Sequence, residues 1–268
     1  MVKFLFFFLS TAACLAQEPL AKGIQDNSFF VEEAYNQEFG IVQHIFNVPT
    51  FFSHGNNVLS PNFTQEWPFF SQTHQLSYTI PFTFTNGTNA FDDIRLNYRL
   101  QALMETERTP AFAPRFSLVL PTGDPEKGIG HNRPGYEINL PFSKIVSNRW
   151  TLHFNAGGNV FPDVQGHDLW NYNLGASAIF AVTRDFNLML ESVATWQSDI
   201  ETAKHVQHSV TALISPGFRY AFNFPSKLQI VTGAAVPVGL TSDSPDWGLF
   251  FYLSFEHPFI RLPDEKSK

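Results

Sequence analysis

The sequence predicts an all-β fold, a closed antiparallel transmembrane β-barrel of about twelve strands with short periplasmic turns and longer extracellular loops. Three observations lead to it: apolar and polar residues alternate along many segments, aromatic residues are abundant without long apolar runs, and the chain begins with an export signal. Alternation with a period of two is the pattern of a strand with two unlike faces. It is clearest where one parity carries Ile94, Leu96, Tyr98 and Leu100 and the other Asp93, Arg95, Asn97, Arg99 and Gln101.

The composition excludes a helical membrane protein. Of the 268 residues, 44% are hydrophobic and 16% aromatic, with 30 Phe, yet the mean hydropathy is only -0.10. After the N-terminal segment, no stretch reaches the ~18 apolar residues that a spanning helix needs. Abundant aromatic residues without such runs are therefore the feature that the fold has to explain.

The first 16 residues have the pattern of a secretory signal peptide. Lys3 supplies the positive charge, "FLFFFLSTAACLA" the apolar stretch, and small residues precede a cleavage point before Gln17. An alternative is a lipoprotein signal in which Cys14 is acylated, but Thr11 stands where a larger aliphatic residue is usual. The sequence thus predicts export, with the mature chain beginning near Gln17.

The cysteine count and the charge exclude several classes of protein. Cys14 is the only cysteine, so a cleaved chain has no disulfide scaffold, thiolate zinc site or cysteine nucleophile. The formal charge of -7 becomes about -8 once Lys3 is removed, which argues against a nucleic-acid partner. We expect the lipid and lipopolysaccharide of a bacterial outer membrane as partners, and no cofactor.

Twelve segments are predicted as strands, most of them near the ~9 to 11 residues of a tilted spanning strand. They are residues 40–52, 62–70, 74–84, 91–104, 112–121, 135–145, 150–160, 169–182, 186–196, 206–222, 227–240 and 247–259. The second is the weakest, because Pro68 cannot donate to a ladder. We retain it because bacterial outer-membrane barrels have even strand numbers. With it, most connections after even strands are short, although "ETERTPA" is longer, and most connections after odd strands are longer and more polar.

The apolar parity favours lipid over a protein core as its surroundings. A soluble β-sandwich alternates too, but its apolar faces must meet in one densely packed core. Here nearly every strand keeps large apolar residues, and aromatic residues recur near strand ends as in an interfacial girdle. These are Tyr98, Tyr136, Trp150, Trp170, Tyr172, Trp196, Tyr220 and Trp247. A soluble exported β-protein is the less favoured alternative.

Several segments resemble a known family. "EEAYNQEFGIVQHIFN", "HQLSYTIPF", "DIRLNYRLQ", "APRFSLVLPTGD" and "GYEINLPFS" occur in this order between Glu32 and Ser143. Together with the rest of the chain to Phe259 they resemble the outer-membrane transporter family named for the meta-cleavage pathway of phenol degradation. The resemblance implies an outer-membrane barrel that passes small, often aromatic or hydrophobic, compounds. It supplies no catalytic residues, and we expect no enzymatic activity.

The polar parity carries the candidate site, a set of charged residues predicted to line the lumen. Arg95, Arg99, Arg115 and Glu137 lie on three neighbouring strands and are expected to form one cluster, with Glu66 as a further acid. Two interpretations stay open: a salt-bridge network that holds the lumen together, or a charged constriction that screens solutes. The full set is Asp93, Arg95, Arg99, Arg115, Glu137, Glu191, Arg219 and Glu256.

The two ends of the mature chain do not alternate. Residues 17–39 are predicted to contain a short helix capped by Asn27 or Ser28, and to form either a plug in the lumen or a periplasmic lead-in to the barrel of residues 40–259. Residues 260–268 form a polar tail. His205 and His208 make an HxxH pair without an evident third ligand, so no metal site is predicted.

The function predicted from these features is an outer-membrane channel for small, hydrophobic or aromatic solutes, working by passive diffusion. A structural or adhesive barrel without transport is the main alternative. An outer-membrane hydrolase is a weaker one, because no G-x-S-x-G nucleophile motif occurs.

Overall fold

The computed structural model describes residues 24, 26, 28–85, 87–202 and 205–260, with the side chains of 201 and 202 left aside. The predicted signal peptide, including Cys14, lies outside these ranges, as does the predicted tail apart from Ile260. The described residues form a single antiparallel sheet that closes on itself.

Twelve strands build the barrel wall, and we number them in chain order. They are β1 (Ile41–Ser53), β2 (Asn62–Phe69), β3 (Ser71–Thr85), β4 (Ile94–Leu100), β5 (Arg115–Leu120), β6 (Gly135–Ile145), β7 (Trp150–Val164), β8 (His167–Ala181), β9 (Phe186–Thr202), β10 (His205–Asn223), β11 (Gln229–Ala235) and β12 (Trp247–Pro258). Short strands at Asn56–Leu59, Thr88–Phe91, Ala111–Phe112 and Val238–Gly239, and a 3-10 turn at Pro125–Lys127, complete the elements.

Each strand pairs with the next, and the ring closes where Ile41 of β1 lies opposite Pro258 of β12. The prediction of a closed twelve-stranded antiparallel barrel is confirmed. The doubtful second strand is present, because Glu66 pairs with Gln43 of β1 and Trp67 with Leu76 of β3. Pro68 is accommodated because the register shifts directly after it, at the end of the strand.

The two rims differ in how the strands are joined. We call the rim where β1 begins and β12 ends the terminal rim, and the other the opposite rim. Much of the polar sequence predicted as long loops at the opposite rim instead extends the strands. Residues 53–56 form a tight hairpin around Gly55, and residues 164–167 another around Gly166. Both glycines have φ near +85°, a conformation that favours glycine. Longer connections remain at 121–134 and 240–246.

The outer face of the barrel is apolar and aromatic. Trp150, Trp170, Trp196 and Trp247 are all between 40% and 52% exposed on it, and Trp150 and Trp247 begin strands at opposite rims. Large apolar side chains exposed in this way, with aromatic residues at both rims, are typical of a lipid-facing wall. Within the described ranges, no helix has the length and apolar character needed to cross a membrane.

The inner face is less uniformly polar than the alternation predicts. Ile179, Met189, Val231 and Phe250 point inward from β8, β9, β11 and β12 and are buried. They form one apolar side of the lumen, while polar side chains cover the wall from β1 to β7. The apolar side is buried because the segment that precedes β1 packs against it.

Residues 24–40 enter the barrel and return to the terminal rim, and we call this segment the lumen loop. The predicted helix is wrong: the described residues of the segment contain only bends, a turn and irregular backbone. Asn27 lies outside the described residues, and Ser28 does not cap a helix but bonds the Ser177 hydroxyl of β8 at 2.7 Å. Backbone N–H groups of the lumen loop donate to side chains of the wall, and these hydrogen bonds replace those of a helix.

Candidate functional site: the lumen loop and the cavity above it

The apex of the lumen loop is held by one carboxylate. Glu191 projects inward from β9 and accepts the backbone N–H groups of Phe29, Phe30 and Val31 at 3.2, 2.9 and 3.1 Å. Three amides converging on one buried anion form charge-assisted hydrogen bonds, which are stronger than neutral ones. Glu191 therefore fixes how far the loop reaches into the lumen.

The returning limb of the loop is bound by neutral polar side chains. The Glu32 N–H donates to Asn155 Oδ1 on β7, whose Nδ2 donates back to the Glu32 carbonyl, both at 2.8 Å. The Ala34 N–H donates to Ser143 Oγ on β6 at 2.7 Å. Here the backbone of the loop is hydrogen-bonded to the wall as a neighbouring strand would be, except that the partners are side chains of β6 and β7.

Three glutamines of the wall take part in the same pattern nearer the terminal rim. Gln101 accepts the Asn36 N–H at 2.9 Å, and Gln75 accepts the Gln37 N–H at 2.8 Å. The Gln37 side chain donates to Gln43. The limb is thus bound to β1, β3 and the residue after β4, so the loop contacts much of the circumference of the lumen.

Two arginines bind carbonyl groups of the lumen loop. Arg219 of β10 donates to the carbonyls of Ile24 at 2.8 Å and Asp26 at 2.6 Å. Arg99 of β4 donates to the carbonyls of Glu33 at 3.2 Å and Tyr35 at 3.0 Å. Both guanidinium groups are almost completely buried, so these carbonyls satisfy charges that are costly to bury unpaired.

The start of the loop is anchored by a buried acid. Asp26 is 1% exposed, and its carboxylate accepts hydrogen bonds from Gln43 at 2.8 Å, from Ser254 at 2.7 Å and from the Tyr252 hydroxyl. Gln43 lies on β1, and the other two lie on β12. Asp26 therefore ties the loop to the strand pair that closes the barrel.

The ring of Phe29 occupies a socket between two glycines. It stacks on Phe250 with ring centroids 5.1 Å apart and packs against Tyr252 at 5.4 Å. A Cβ on Gly233 would lie 2.6 Å from this ring, and one on Gly217 would lie 3.0 Å away. The absence of side chains at these positions of β10 and β11 gives the loop room inside the barrel.

The predicted charge cluster exists, and the lumen loop completes it. Arg115 donates to Glu32 of the loop at 2.6 Å and to Glu137 of β6 at 2.5 Å. Arg95 approaches Glu137 with its Nε at 3.6 Å. Arg99 lies 3.7 Å from Glu66. The cluster brings together five of the wall residues named from the sequence, but its central acid, Glu32, comes from a segment that the sequence left undecided.

A cavity of about 410 Å³ lies between the apex of the loop and the opposite rim. Its floor includes Phe30 and Glu32, and its wall includes Asn47, Thr79 and Arg95. This volume is within the ~300 to 1,000 Å³ of typical small-molecule sites. The loop therefore forms one boundary of this cavity.

Asp93 lies at the opposite rim, away from the cluster. Its carboxylate accepts the N–H groups of Gly123 at 2.9 Å and His131 at 3.0 Å, and His131 Nδ1 at 3.1 Å. Burial opposes ionisation, but these hydrogen bonds outweigh it and hold the pKa of the Asp93 carboxyl below its ordinary value. The His131 ring stacks on Phe161 at 3.6 Å, so Asp93 fastens the connection 121–134 over the barrel wall.

The other predicted charges are placed separately. Glu191 and Arg219 bind the lumen loop, as described above. Glu256 lies on the inward parity of β12 with Tyr252 and Ser254 and is partly buried. The described residues show no hydrogen bond from the loop to its carboxylate. The predicted set is thus divided among the charge cluster, the residues that bind the lumen loop and Asp93 at the opposite rim, and Glu256 belongs to none of these groups.

The histidines form no metal-binding group in the part of the chain that the structure describes. No group of three or more His, Cys, Asp or Glu there could hold a metal ion. His153 Nδ1 lies 2.6 Å from Ser143 Oγ, and both side chains are buried. Because Ser143 also accepts the Ala34 N–H, this hydroxyl is committed to the lumen loop.

The residues that sequence reasoning missed are mostly uncharged. Gln43, Gln75 and Gln101 lie on the inward parity and are buried, and each binds the lumen loop. Large amides repeated at inward positions of neighbouring strands are a usable signal, because a buried amide needs partners on both its donor and acceptor sides. The contacts of Asp26 carry no such signal, since it precedes the alternating region.

Fold and lumen together define the class: an outer-membrane-type β-barrel whose N-terminal segment occupies its own lumen. The chain belongs to the family described as "Putative MetA-pathway of phenol degradation", whose model matches residues 23–253. The resemblance noted from the sequence is thereby confirmed.

Two solved structures share this fold. An outer-membrane channel from Pseudomonas putida F1 superposes with a TM-score of 0.65 at 12% identity, covering 84% of this chain and 98% of that chain. The NanC porin superposes with a TM-score of 0.51 at 9% identity, covering 80% and 100%. At such identities the likeness concerns the fold. No curated protein sequence matches the chain.

Proposed function

We propose that this protein is an outer-membrane channel that passes small solutes by passive diffusion when the lumen loop leaves the lumen. The observation that carries the proposal is the cavity of about 410 Å³ that ends at the loop. One segment, continuous in the chain with β1, lies between this cavity and the terminal rim. Removing a single segment would therefore connect the two sides of the barrel.

The loop is bound by side chains of the wall rather than by strand pairing, which supports its leaving the lumen as a unit. Its amides and carbonyls are held by wall side chains such as Glu191, Asn155 and Arg219, and it has no ladder pairing with a wall strand in the described residues. Water can replace each of these polar partners without breaking the sheet. The barrel does not need to deform for the loop to leave.

The rims support an orientation with the terminal rim in the periplasm. Tight turns join the strands at most positions of this rim, as at Phe69–Ser71 and 182–185, whereas extended hairpins and the connection 121–134 stand at the other. Outer-membrane barrels place their short turns in the periplasm. The loop would then be released toward the periplasm, and the cavity would face the outside.

The cavity wall supports solutes that are both apolar and polar. Phe30, Ile45 and Tyr252 line one part, and Asn47, Asn62 and Thr79 line another. A purely hydrophobic solute would have to desolvate the polar part without compensation. This wall therefore favours small amphiphilic compounds among the aromatic and hydrophobic compounds expected from the sequence.

The test is conductance in planar lipid bilayers. We compare the full protein with a chain that begins at Phe39, which retains all twelve strands and loses the lumen loop. We expect the full protein to be closed for most of the recording with brief openings, and the shortened chain to conduct continuously. If neither protein conducts although both are folded, the channel proposal fails.

A barrel without transport remains the second candidate, and the number of bonds between loop and wall favours it. Under that proposal the loop is a permanent part of the core. Its removal would lower the temperature of unfolding, and the full protein would show no openings at any voltage.

A further inference from the structure

We propose that the cavity above the lumen loop binds a small organic carboxylate, with the Arg95 guanidinium as its anion partner and the Phe30 ring against its apolar body. The inference rests on the proposed channel function and names the chemical class of its solute. It follows from the unpaired terminal nitrogens of Arg95, from the pairing of the neighbouring carboxylates with other arginines, and from the apolar and polar parts of the cavity wall.

Arg95 is the arginine of the charge cluster whose two terminal guanidinium nitrogens have no hydrogen-bond partner among the described residues. Only its Nε faces a carboxylate, Glu137 Oε2 at 3.6 Å, and the described residues offer no hydrogen bond to its two terminal nitrogens. Its side chain is 36% exposed, whereas that of Arg115 is 13% exposed. The guanidinium lines the cavity, so its Nη1 and Nη2 donors are available to a ligand.

The neighbouring carboxylates also contact other arginines. Arg115 holds both Glu32 and Glu137 at 2.6 Å or less, and Arg99 lies beside Glu66. The three arginines and three glutamates of the cluster balance in formal charge. Arg115 is the nearer cation to Glu137, so the terminal nitrogens of Arg95 are the donors left for an added anion. Two parallel N–H donors match the two oxygens of a carboxylate, which gives a bidentate pair.

The opposite part of the same cavity is aromatic and apolar. Phe30 packs edge-on against Phe250 at 4.8 Å, and Ile45 and Tyr252 also line the space. A ligand that fills about 410 Å³ between Arg95 and these side chains combines one carboxylate with a compact apolar body. Asn47 and Thr79 leave room for a hydroxyl group on that body.

The test is isothermal titration calorimetry of the folded full-length protein in detergent, with benzoate as the probe. Benzamide, which has the same shape without the charge, is the matched ligand control. We expect benzoate to bind about 10 to 100 times more tightly than benzamide, since a hydrogen-bonded ion pair accounts for that ratio.

Two variants of Arg95 separate the effect of bidentate hydrogen bonding on benzoate binding from the effect of positive charge alone. Arg95→Gln should lose most of the preference for benzoate, and Arg95→Lys should keep part of it, because lysine retains the charge but not the fork. Arg133→Gln is the control, since Arg133 pairs with Asp163 at the opposite rim, outside the cavity. Arg133→Gln should bind benzoate like the unmodified protein.

The outcomes are distinct from those of the conductance test. Equal binding of benzoate and benzamide, unchanged benzoate binding by folded Arg95→Gln, or no binding of either probe at millimolar concentration would each overturn the proposed site. If benzoate binds as expected while no conductance is seen, the site stands and the channel fails. If the protein conducts without binding benzoate, the channel stands and the site fails.

Discussion

Arg99 is a wall residue that binds the lumen loop through several hydrogen bonds. Its guanidinium donates to the loop at Asn36 Oδ1 and at the carbonyls of Glu33 and Tyr35, between 2.9 and 3.2 Å. These three acceptors lie within four consecutive residues of the loop, so one side chain binds a continuous part of the returning limb. A neutral residue at this position would leave buried carbonyls without a donor.

We therefore predict that Arg99→Ala both destabilises the protein and releases the loop. Removing one partner of a buried charged network costs about 3 to 5 kcal/mol. Urea unfolding in detergent micelles measures the loss, and Arg108→Ala, in an exposed turn of the terminal rim, is the control that should leave stability unchanged. Equal stability of the two variants would show that Arg99 does not hold the loop.

Glu191 is the corresponding residue at the apex. Glu191→Gln retains one oxygen for the three amides of Phe29, Phe30 and Val31, but it places an NH2 group against them and removes the negative charge. We predict more frequent channel openings and faster cleavage of the apex by an added protease. Glu256→Gln is the matched control, an inward acid of the wall to which the loop donates no hydrogen bond in the described residues. If both variants are cleaved at the unmodified rate, Glu191 is not an anchor.

At the scale of elements, the connection 121–134 depends on ionised Asp93. Because its hydrogen bonds lower the folded-state pKa, the stabilisation is complete above the ordinary pKa of 3.8 and is lost as the pH falls through the lower folded-state value. Asp93→Asn should therefore loosen this connection even at pH 7.

Amide hydrogen exchange at Gly123 and His131 measures this effect. We expect strong protection at pH 7 in the unmodified protein, weaker protection well below pH 3.8 after correction for the intrinsic rate, and weak protection at both pH values in Asp93→Asn. Asp124→Asn removes a neighbouring acid that pairs with Lys127 on the surface, and it should leave the two amides protected. Unchanged protection in Asp93→Asn would show that Asp93 does not hold the connection 121–134 in place.

Most of the strands were predictable from sequence because they alternate over much of their length. Even β2 was placed correctly in spite of Pro68, since the parity of the connections required it. The predicted helix near Ser28 was wrong for a physical reason: local capping signals compete with tertiary partners, and here Ser177, Glu191 and Asn155 bind the groups that a helix would have bonded internally. Those partners lie more than 120 residues away.

The site was predictable in part. The parity of β4 to β6 placed Arg95, Arg115 and Glu137 together, because adjacent strands bring inward residues into contact. The apolar side of the lumen around Met189 and Phe250 was not predictable, since inward and outward positions are both apolar there and alternation carries no information. Only the position of the lumen loop explains why these residues are buried.

At the scale of the whole molecule, the outer face requires a lipid or detergent environment. Among the residues described, four tryptophans and many leucines and phenylalanines are exposed on it. We predict partition into the detergent phase and heat-modifiable migration in SDS gels, because a closed barrel resists SDS until it is boiled. Aqueous solubility of the folded chain without detergent would contradict a lipid-facing wall.

The lumen loop is the proposed gate of this barrel, and a disulfide that holds the loop in the lumen tests this role. An ideal Cβ on Gly175 of β8 lies 3.0 Å from Val31 Cγ2 of the loop, a proximity that suits a disulfide in the variant Val31→Cys with Gly175→Cys. Val31→Cys alone is the control for effects of the substitution.

The measurement is planar-bilayer conductance of the double variant before and after a reducing agent. We predict no openings while the disulfide holds the loop to β8. Once the disulfide is reduced, we predict openings like those of Val31→Cys. Conductance that is the same in the oxidised and reduced states would contradict it, since solutes would then pass without movement of the loop.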